Sequence, residues 1–338
     1  MAMFRRDFLT DVLAQGGSRR AALTAGGAAL AMAGLGALAV SDVAAGGQFG
    51  SRAAPARLQG ATPVAGAADW APVEALAREA ERTGGVVGVA VHAAGRELFA
   101  RHGARRFRAA STVKVPVMIE AYRQSERGAL SLDERYVLRD EDRIPGTGVL
   151  AHLHAGLKVT FADLLYLMIA VSDNTATNRV IDRVGLDAVN VTMRSLGMVD
   201  STLGRPMLGR LPTAGDPENW ATPSDYAVAI DAIVNGDAAS PESCARMMET
   251  LELQNETRRI SRFLPDGAGL RWGTKPGDLP GFINDVGFVS SERGTLAIAV
   301  YCENLPGLDD AERTIGEIAL TALELTGMLP AGTDAAAS

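Results

Sequence analysis

Cysteine is nearly absent: Cys244 and Cys302 are the only two in 338 residues. At most one disulfide is available, so no disulfide framework holds the fold, and nothing in the spacing requires that pair to form. Basic runs are missing from the part that reads as folded, and the net charge is −7. Nucleic acid, which is bound through clustered lysine and arginine, is therefore not an expected partner. No stretch repeats at a fixed period. The four histidines, His92, His102, His152 and His154, have no cysteine or carboxylate cluster beside them. A His152 and His154 pair lacks the further ligands that a zinc site needs, so neither a metal nor a cofactor is expected. The chain is 47% hydrophobic and 22% charged. That suits one large globular domain, or two small ones, with a core of real size.

The N-terminus does not read as fold. In "SRRAALTAGGAALAMAGLGALAV", Arg19 and Arg20 precede an apolar stretch built mostly of Ala, Gly and Leu. Small residues follow at Ala37-Leu38-Ala39 and Val43-Ala44-Ala45. The pattern is that of a twin-arginine export signal over residues 1–45, which places the protein in the cell envelope or outside the cell. A second pair, Arg5-Arg6, is followed by residues too polar for the apolar region. A transmembrane anchor is the competing reading, and the alanine and glycine content counts against it. Residues 46–68 are rich in Gly, Ala and Pro without periodicity and read as a flexible linker. The folded domain is expected over 69–329, with a disordered tail over 330–338.

Within that domain, "DWAPVEALAREAERTG" has helical spacing from Trp70 to about Arg82. "GVVGVAVHAAGRELFARHG" reads as two strands joined at Ala94-Gly95-Arg96. A helix is expected from Ser111 to about Arg127, stopped by Gly128, with Pro116 early enough to be tolerated. Residues 160–250 are mostly helical, with "FADLLYLMIAV" as a buried helix. Three strands, "GLRWGTK", "INDVGFVSS" and "GTLAIAVYCEN", and a final helix end the chain. Strands at both ends around a run of helices imply an α+β fold: one antiparallel sheet assembled from both termini, flanked by helices, with an all-α lobe inserted. The active site of such a fold lies where the two lobes meet.

Three short motifs carry chemistry. "AASTVKVPVM" sets Ser111 three residues before Lys114, close enough on one helical face for a hydroxyl to meet an amine, a nucleophile beside a base. A capping serine with a solvated lysine satisfies the same four residues. "IAVSDNTATN" puts Ser172, Asp173 and Asn174 on a short connection between two helices, where either catalysis or helix capping places them. "WGTKPGDLPG" offers Lys275 and Gly277 near the end of a strand.

The order S-x-x-K, then S-D-N, then K-[T/S]-G is the signature of class A β-lactamases and penicillin-binding proteins. Over about residues 69–328 this chain resembles that family of penicillin-recognising serine hydrolases, most closely the branch with Leu279-Pro280-Gly281 and Asn284-Asp285 after the third motif. The resemblance implies the α/β sandwich of the β-lactamase and DD-peptidase type, and a monomer without cofactor. It also implies roles. Ser111 attacks a carbonyl and becomes acylated, and Lys114 takes its proton in the neutral state, favoured by burial and by Lys275. Ser172 passes a proton to the leaving nitrogen. Asn174 holds the amide side chain of the substrate, and Lys275 and Gly277 belong to its binding strand. The backbone N–H groups of Ser111 and Asp278 form the oxyanion hole.

The chain also departs from that family. Class A enzymes place a deacylating glutamate about 35 residues after the S-D-N serine. Here the stretch reads "STLGRPMLGRLPTAGDPENWATP", and the position falls among Arg205, Pro206, Met207 and Leu208. Glu218, at the far end of the loop, reads as a solvated charge or a clasp with Arg205. Pro276 stands where the family has a hydroxyl, so it offers neither a hydroxyl nor an N–H, and Asp278 adds negative charge beside the place of a substrate carboxylate. The expectation is an exported serine hydrolase opening a β-lactam or related amide through a Ser111 acyl-enzyme, with slow deacylation. A cell-wall peptidase or esterase, and a binding module acylated without turnover, are the alternatives.

Overall fold

In the computed structural model the residues described are 68–329. The export signal, all but the last residue of the linker, and the tail lie outside them. The chain runs α1 (Ala71–Glu81), β1 (Val86–Ala93), β2 (Arg96–Arg101) and β3 (Phe107–Arg108) into a 3-10 turn (Ala110–Val113) and α2 (Lys114–Glu126). Next come β4 (Arg135–Val137), β5 (Lys158–Thr160), α3 (Phe161–Ala170), α4 (Asn174–Val184), α5 (Leu186–Ser195) and β6 (Trp220–Ala221). The domain ends with α6 (Pro223–Asn235), α7 (Pro241–Glu252), β7 (Arg271–Leu279), β8 (Phe282–Ser291), β9 (Gly294–Glu303) and α8 (Leu308–Leu325).

The two ends of the domain build one antiparallel sheet in the order β2-β1-β9-β8-β7. Strands β1 and β9 are buried on both faces, which is why they read as near-continuous apolar runs. Val87, Val89, Val91, Ile298 and Val300 pack with Val73 of α1 and Ile315 and Ile318 of α8. The alternate residues Ala90, Ala297, Ala299 and Tyr301 pack with Tyr226 and Ile230 of α6 and with the helical lobe. Cys302 belongs to the first of these layers and Cys244 to the second, so the sheet separates the two thiols and both are free. Burial pushes the Cys302 thiol up to about 12.

Two local features differ from the sequence expectation. The inserted lobe is not all-α: it holds two short antiparallel ribbons, β3 with β6 and β4 with β5. Strands of two or three residues are too short to show a two-residue period, so no alternation betrayed them. The helix expected from Ser111 starts at Lys114 instead, after the 3-10 turn. Pro116 has no N–H to donate four residues back, and its ring crowds that carbonyl. The chain therefore closes in the tighter form, with the Lys114 N–H donating to Ser111 O and Thr112 O. In such a turn residues three apart lie on one side, so Ser111 and Lys114 share a face.

Pro276 lies inside β7, opposite Asp285. Proline is tolerated there because β7 is an edge strand, and the missing N–H is not needed by a second neighbour. At the other edge, β1 and β2 are joined by Ala94 and Gly95 alone, with φ of 50° and 76°. Left-handed angles at both positions define the turn that matches strand twist, and an L-residue other than Asn or Gly is strained in it. Ala94→Asn should therefore raise stability by about 0.5–1 kcal/mol, a rise in Tm of about 1–4 °C by calorimetry.

Candidate active site

The turn that carries Ser111 is held from three sides. Ala109 N donates to Asn219 O at 2.8 Å, beside the β3 and β6 ribbon. The Thr112 hydroxyl donates to Ala109 O at 2.7 Å and lies 3.0 Å from the buried Tyr301 hydroxyl of β9. From the third side β7 closes in at Gly277, where a Cβ would stand 2.9 Å from Ala109 O and 3.1 Å from Ser111 N. Only glycine lets the edge strand come this near to the backbone of Ser111. Ala110, the residue before the serine, is left-handed with φ of 50°. Ser111 is thereby presented, part-exposed, to a cleft of about 650 Å3 between the sheet edge and the helical lobe.

Behind it, Lys114 is 0% exposed. Its amine donates to Ser172 O at 2.6 Å, Ser172 Oγ at 2.9 Å and Asn174 Oδ1 at 3.1 Å. Burial, reinforced by the charge of Lys275, holds this amine well below its ordinary value, while Asp173 works weakly the other way. The shift favours the neutral amine, the form that can accept a proton.

The Ser172-Asp173-Asn174 connection is built to bring a hydroxyl to that amine. α3 ends at Val171, Ser172 turns left-handed with φ of 55°, and Asp173 caps α4 by accepting from Ala176 N at 2.9 Å. The other Asp173 oxygen accepts from Val149 N at 2.6 Å and Leu150 N at 2.8 Å. The Asp173 carboxylate thus fixes the loop that carries Ser172 and Asn174, and helix capping, one of the two readings of the sequence, is what it performs here. Asn174 donates to Pro145 O at 3.2 Å, and Thr147 donates to Ser172 O at 2.7 Å. The segment Pro145–Thr147 lines the cleft, and its sequence carried no signal for that role.

On the strand side, Lys275 is buried and donates to Pro276 O at 2.9 Å. Burial lowers it to about 7 against the opposing pull of Asp285 and Asp278. Asp278 corrects the simple picture of an unopposed negative charge. Its carboxylate accepts a hydrogen bond from Arg259, which is 2% exposed and also donates to Asn284 O at 2.9 Å. Burial raises Asp285, behind the same strand, to about 7. Arg259 escaped the sequence reading because "ETRRISR" looks like an ordinary charged surface run.

The loop from Arg205 to Glu218 is pinched at its neck. Arg205 and Glu218 form an ion pair at 2.7 Å, and Asn219 Oδ1 accepts from Gly204 N and Arg205 N at 2.8 and 3.0 Å. Glu218 also faces Arg108 at 3.4 Å, so it is a clasp at the loop's end. Met207 lines the cleft, with its backbone fixed by Asn178 through bonds of 2.7 and 2.9 Å. His152 and His154 are exposed, and no group of three His, Cys, Asp or Glu among the described residues is arranged to hold a metal.

A signal the motifs left unused is lysine scarcity. Lys114, Lys158 and Lys275 are the only lysines in the chain, and two of them are fully buried at this site. Below its ordinary 10.5, Lys114 binds a proton in the unfolded chain that the folded protein resists, so the fold loses stability as pH falls through that window. Lys114→Met should raise Tm, and by more near pH 7 than near pH 10, in parallel melts of the two proteins. An equal gain at both would deny that the amine is held neutral.

Comparison with known proteins agrees with this geometry. The profile of the beta-lactamase enzyme family matches residues 71–326. A β-lactamase of Rhodobacter capsulatus is 31% identical over 207 residues, 59% of this chain and 70% of that one. The crystal structure of a β-lactamase from Sphaerobacter thermophilus is 54% identical, with a TM-score of 0.75 over 78% of this chain and 100% of that chain. An ancestral class A β-lactamase structure is 28% identical, with a TM-score of 0.68 over 75% of this chain and 98% of that chain. The chain belongs to the beta-lactamase enzyme family, as a serine hydrolase of the class A β-lactamase-like type.

Proposed function

We propose that this hydrolase opens the amide of a β-lactam, or of a related cell-wall acyl compound, through an acyl-enzyme on Ser111 that is released slowly. One observation carries the reading: a fully buried lysine amine, three residues along the chain from Ser111, donates to the Ser172 hydroxyl at 2.9 Å. Lys114 Nζ takes the Ser111 proton as Oγ bonds to the carbonyl carbon. Ser172, hydrogen-bonded to the amine, returns a proton to the nitrogen as the C–N bond breaks. Ser111 N and Asp278 N, on the turn and the strand that meet at Gly277, face the oxyanion. Two donors of that kind contribute about 3–4 kcal/mol each in such sites. Asn174 orients the substrate's amide side chain.

Slow release rests on the loop. The segment opposite Ser111 presents Met207 and Leu208, which bind no proton, and its glutamate, Glu218, is engaged by Arg205 and Arg108. A water attacking the ester there has no free base. The Arg19-Arg20 segment supports export to the envelope, where cell-wall acyl compounds and β-lactams are met.

Mixing the protein with a chromogenic cephalosporin in a stopped-flow instrument should give a burst of about one equivalent followed by a slow steady state. Ser111→Ala should abolish both the burst and the mass adduct. Met207→Glu, which sets a carboxylate on the cleft wall, should raise the steady-state rate by about tenfold or more. A linear trace at high turnover in the native protein would refute slow release, and an adduct on another residue would refute the nucleophile.

A further inference from the structure

Five charged side chains line the cleft: Arg205, Arg210, Glu218, Glu256 and Asp278. Neither guanidinium is free, since Arg205 pairs with Glu218 and Arg210 with Asp216, both at 2.7 Å. Behind the strand, Lys275 is buried and turned to Pro276 O, and Arg259 is buried among Asp278, Glu312 and Asn284 O. The one route by which the positive charge of Arg259 reaches the cleft is Asp278, whose side chain is 56% exposed. Next to it stands Pro276, which offers no hydroxyl and no N–H.

We propose that Asp278 fills, with its own carboxylate, the place beside Arg259 that the carboxylate of a substrate would take, so that the site selects acyl compounds that are uncharged or cationic at that end. The proposal rests on the Ser111 acyl-enzyme reading and adds the class of substrate. A carboxylate carried on the strand is always at hand, whereas a dissolved one must displace it. Displacement leaves Asp278 unpaired beside a second anion, and coexistence without displacement sets two like charges within a few ångströms. An ester or a neutral amide meets neither penalty. A substrate ammonium gains the exposed face of Asp278 as a partner. The preferred substrate therefore has an acylated amine whose neighbouring acid is esterified, amidated or missing.

The discriminating experiment measures the second-order acylation rate of benzylpenicillin and of its methyl ester, read by intact mass, in the native protein, Asp278→Asn and Asp278→Ser. The native protein should acylate with the ester at least as fast as with the free acid. Asp278→Asn should raise the acid-to-ester ratio about tenfold or more, with Arg259 now open to the free acid. Asp278→Ser, which leaves no side-chain amide to compete for Arg259, should shift the ratio the same way. Using the ratio removes any general loss of activity from an altered oxyanion strand. A native preference for the free acid, or a ratio that rises less than about threefold in both variants, would overturn the proposal. Absence of any adduct with either compound would instead overturn the Ser111 reading, and this proposal with it.

Discussion

A lysine amine held in the core without a carboxylate is the constraint to which the rest of this domain conforms. Desolvating an ammonium costs several kcal/mol, so a buried lysine gives up its proton instead. That outcome requires α2 to be buried nearly all round, as it is from Lys114 to Tyr122. Ser172 and Asn174 supply acceptors for its N–H groups from a loop bent into a left-handed turn. Five non-glycine residues among those described take positive φ, and Ala110 and Ser172 are two of them. Conformations of this kind cost about 1–3 kcal/mol each, and they persist where packing over-determines them. Asp173, with its bonds to Val149 N, Leu150 N and Ala176 N, supplies that packing for the loop.

The sheet edge answers the second requirement of the proposed reaction, a surface beside Ser111 that leaves the cleft open. β7 is the one strand of the five that can offer its backbone to a ligand beside Ser111, because β8 covers only its other side. Gly277 allows the approach, and Pro276 and Asp278 line the cleft on either side of it. Arg259, Asp278, Asp285 and Glu312 form a charge network under this strand. The positive charge that the strand could show to a ligand is thereby answered from within the chain.

Much of this was legible in the sequence. Strands at both ends of the domain around a run of helices announced one sheet flanked by helices, and three motifs in order announced the family. Ser111, Lys275 and the Ser172–Asn174 connection come from three separate parts of the chain, and only the ordered spacing of the motifs hinted that they belong together. Where the sequence misled, the cause was local. The periodicity through "STVKVPVM" says helix, but a proline four residues after Thr112 tightens the turn that precedes it. The ribbons β3 with β6 and β4 with β5 are too short for any period. Arg259 was hidden because burial of an arginine depends on Asp278, nineteen positions on, and on Glu312, fifty-three positions on. No window of sequence contains that arrangement.

The central claim, that Lys114 stands neutral as the base for Ser111, is open to direct titration. With three lysines in the chain, a protein labelled with 13C at the lysine ε-carbon gives a spectrum simple enough to follow, and Lys114→Met identifies the resonance. The account predicts a Lys114 midpoint well below 10.5, in the unligated protein at low salt. A midpoint at or above 10.5 would mean that the amine is a charged structural partner of Ser172 and Asn174, and the mechanism built on it would be wrong.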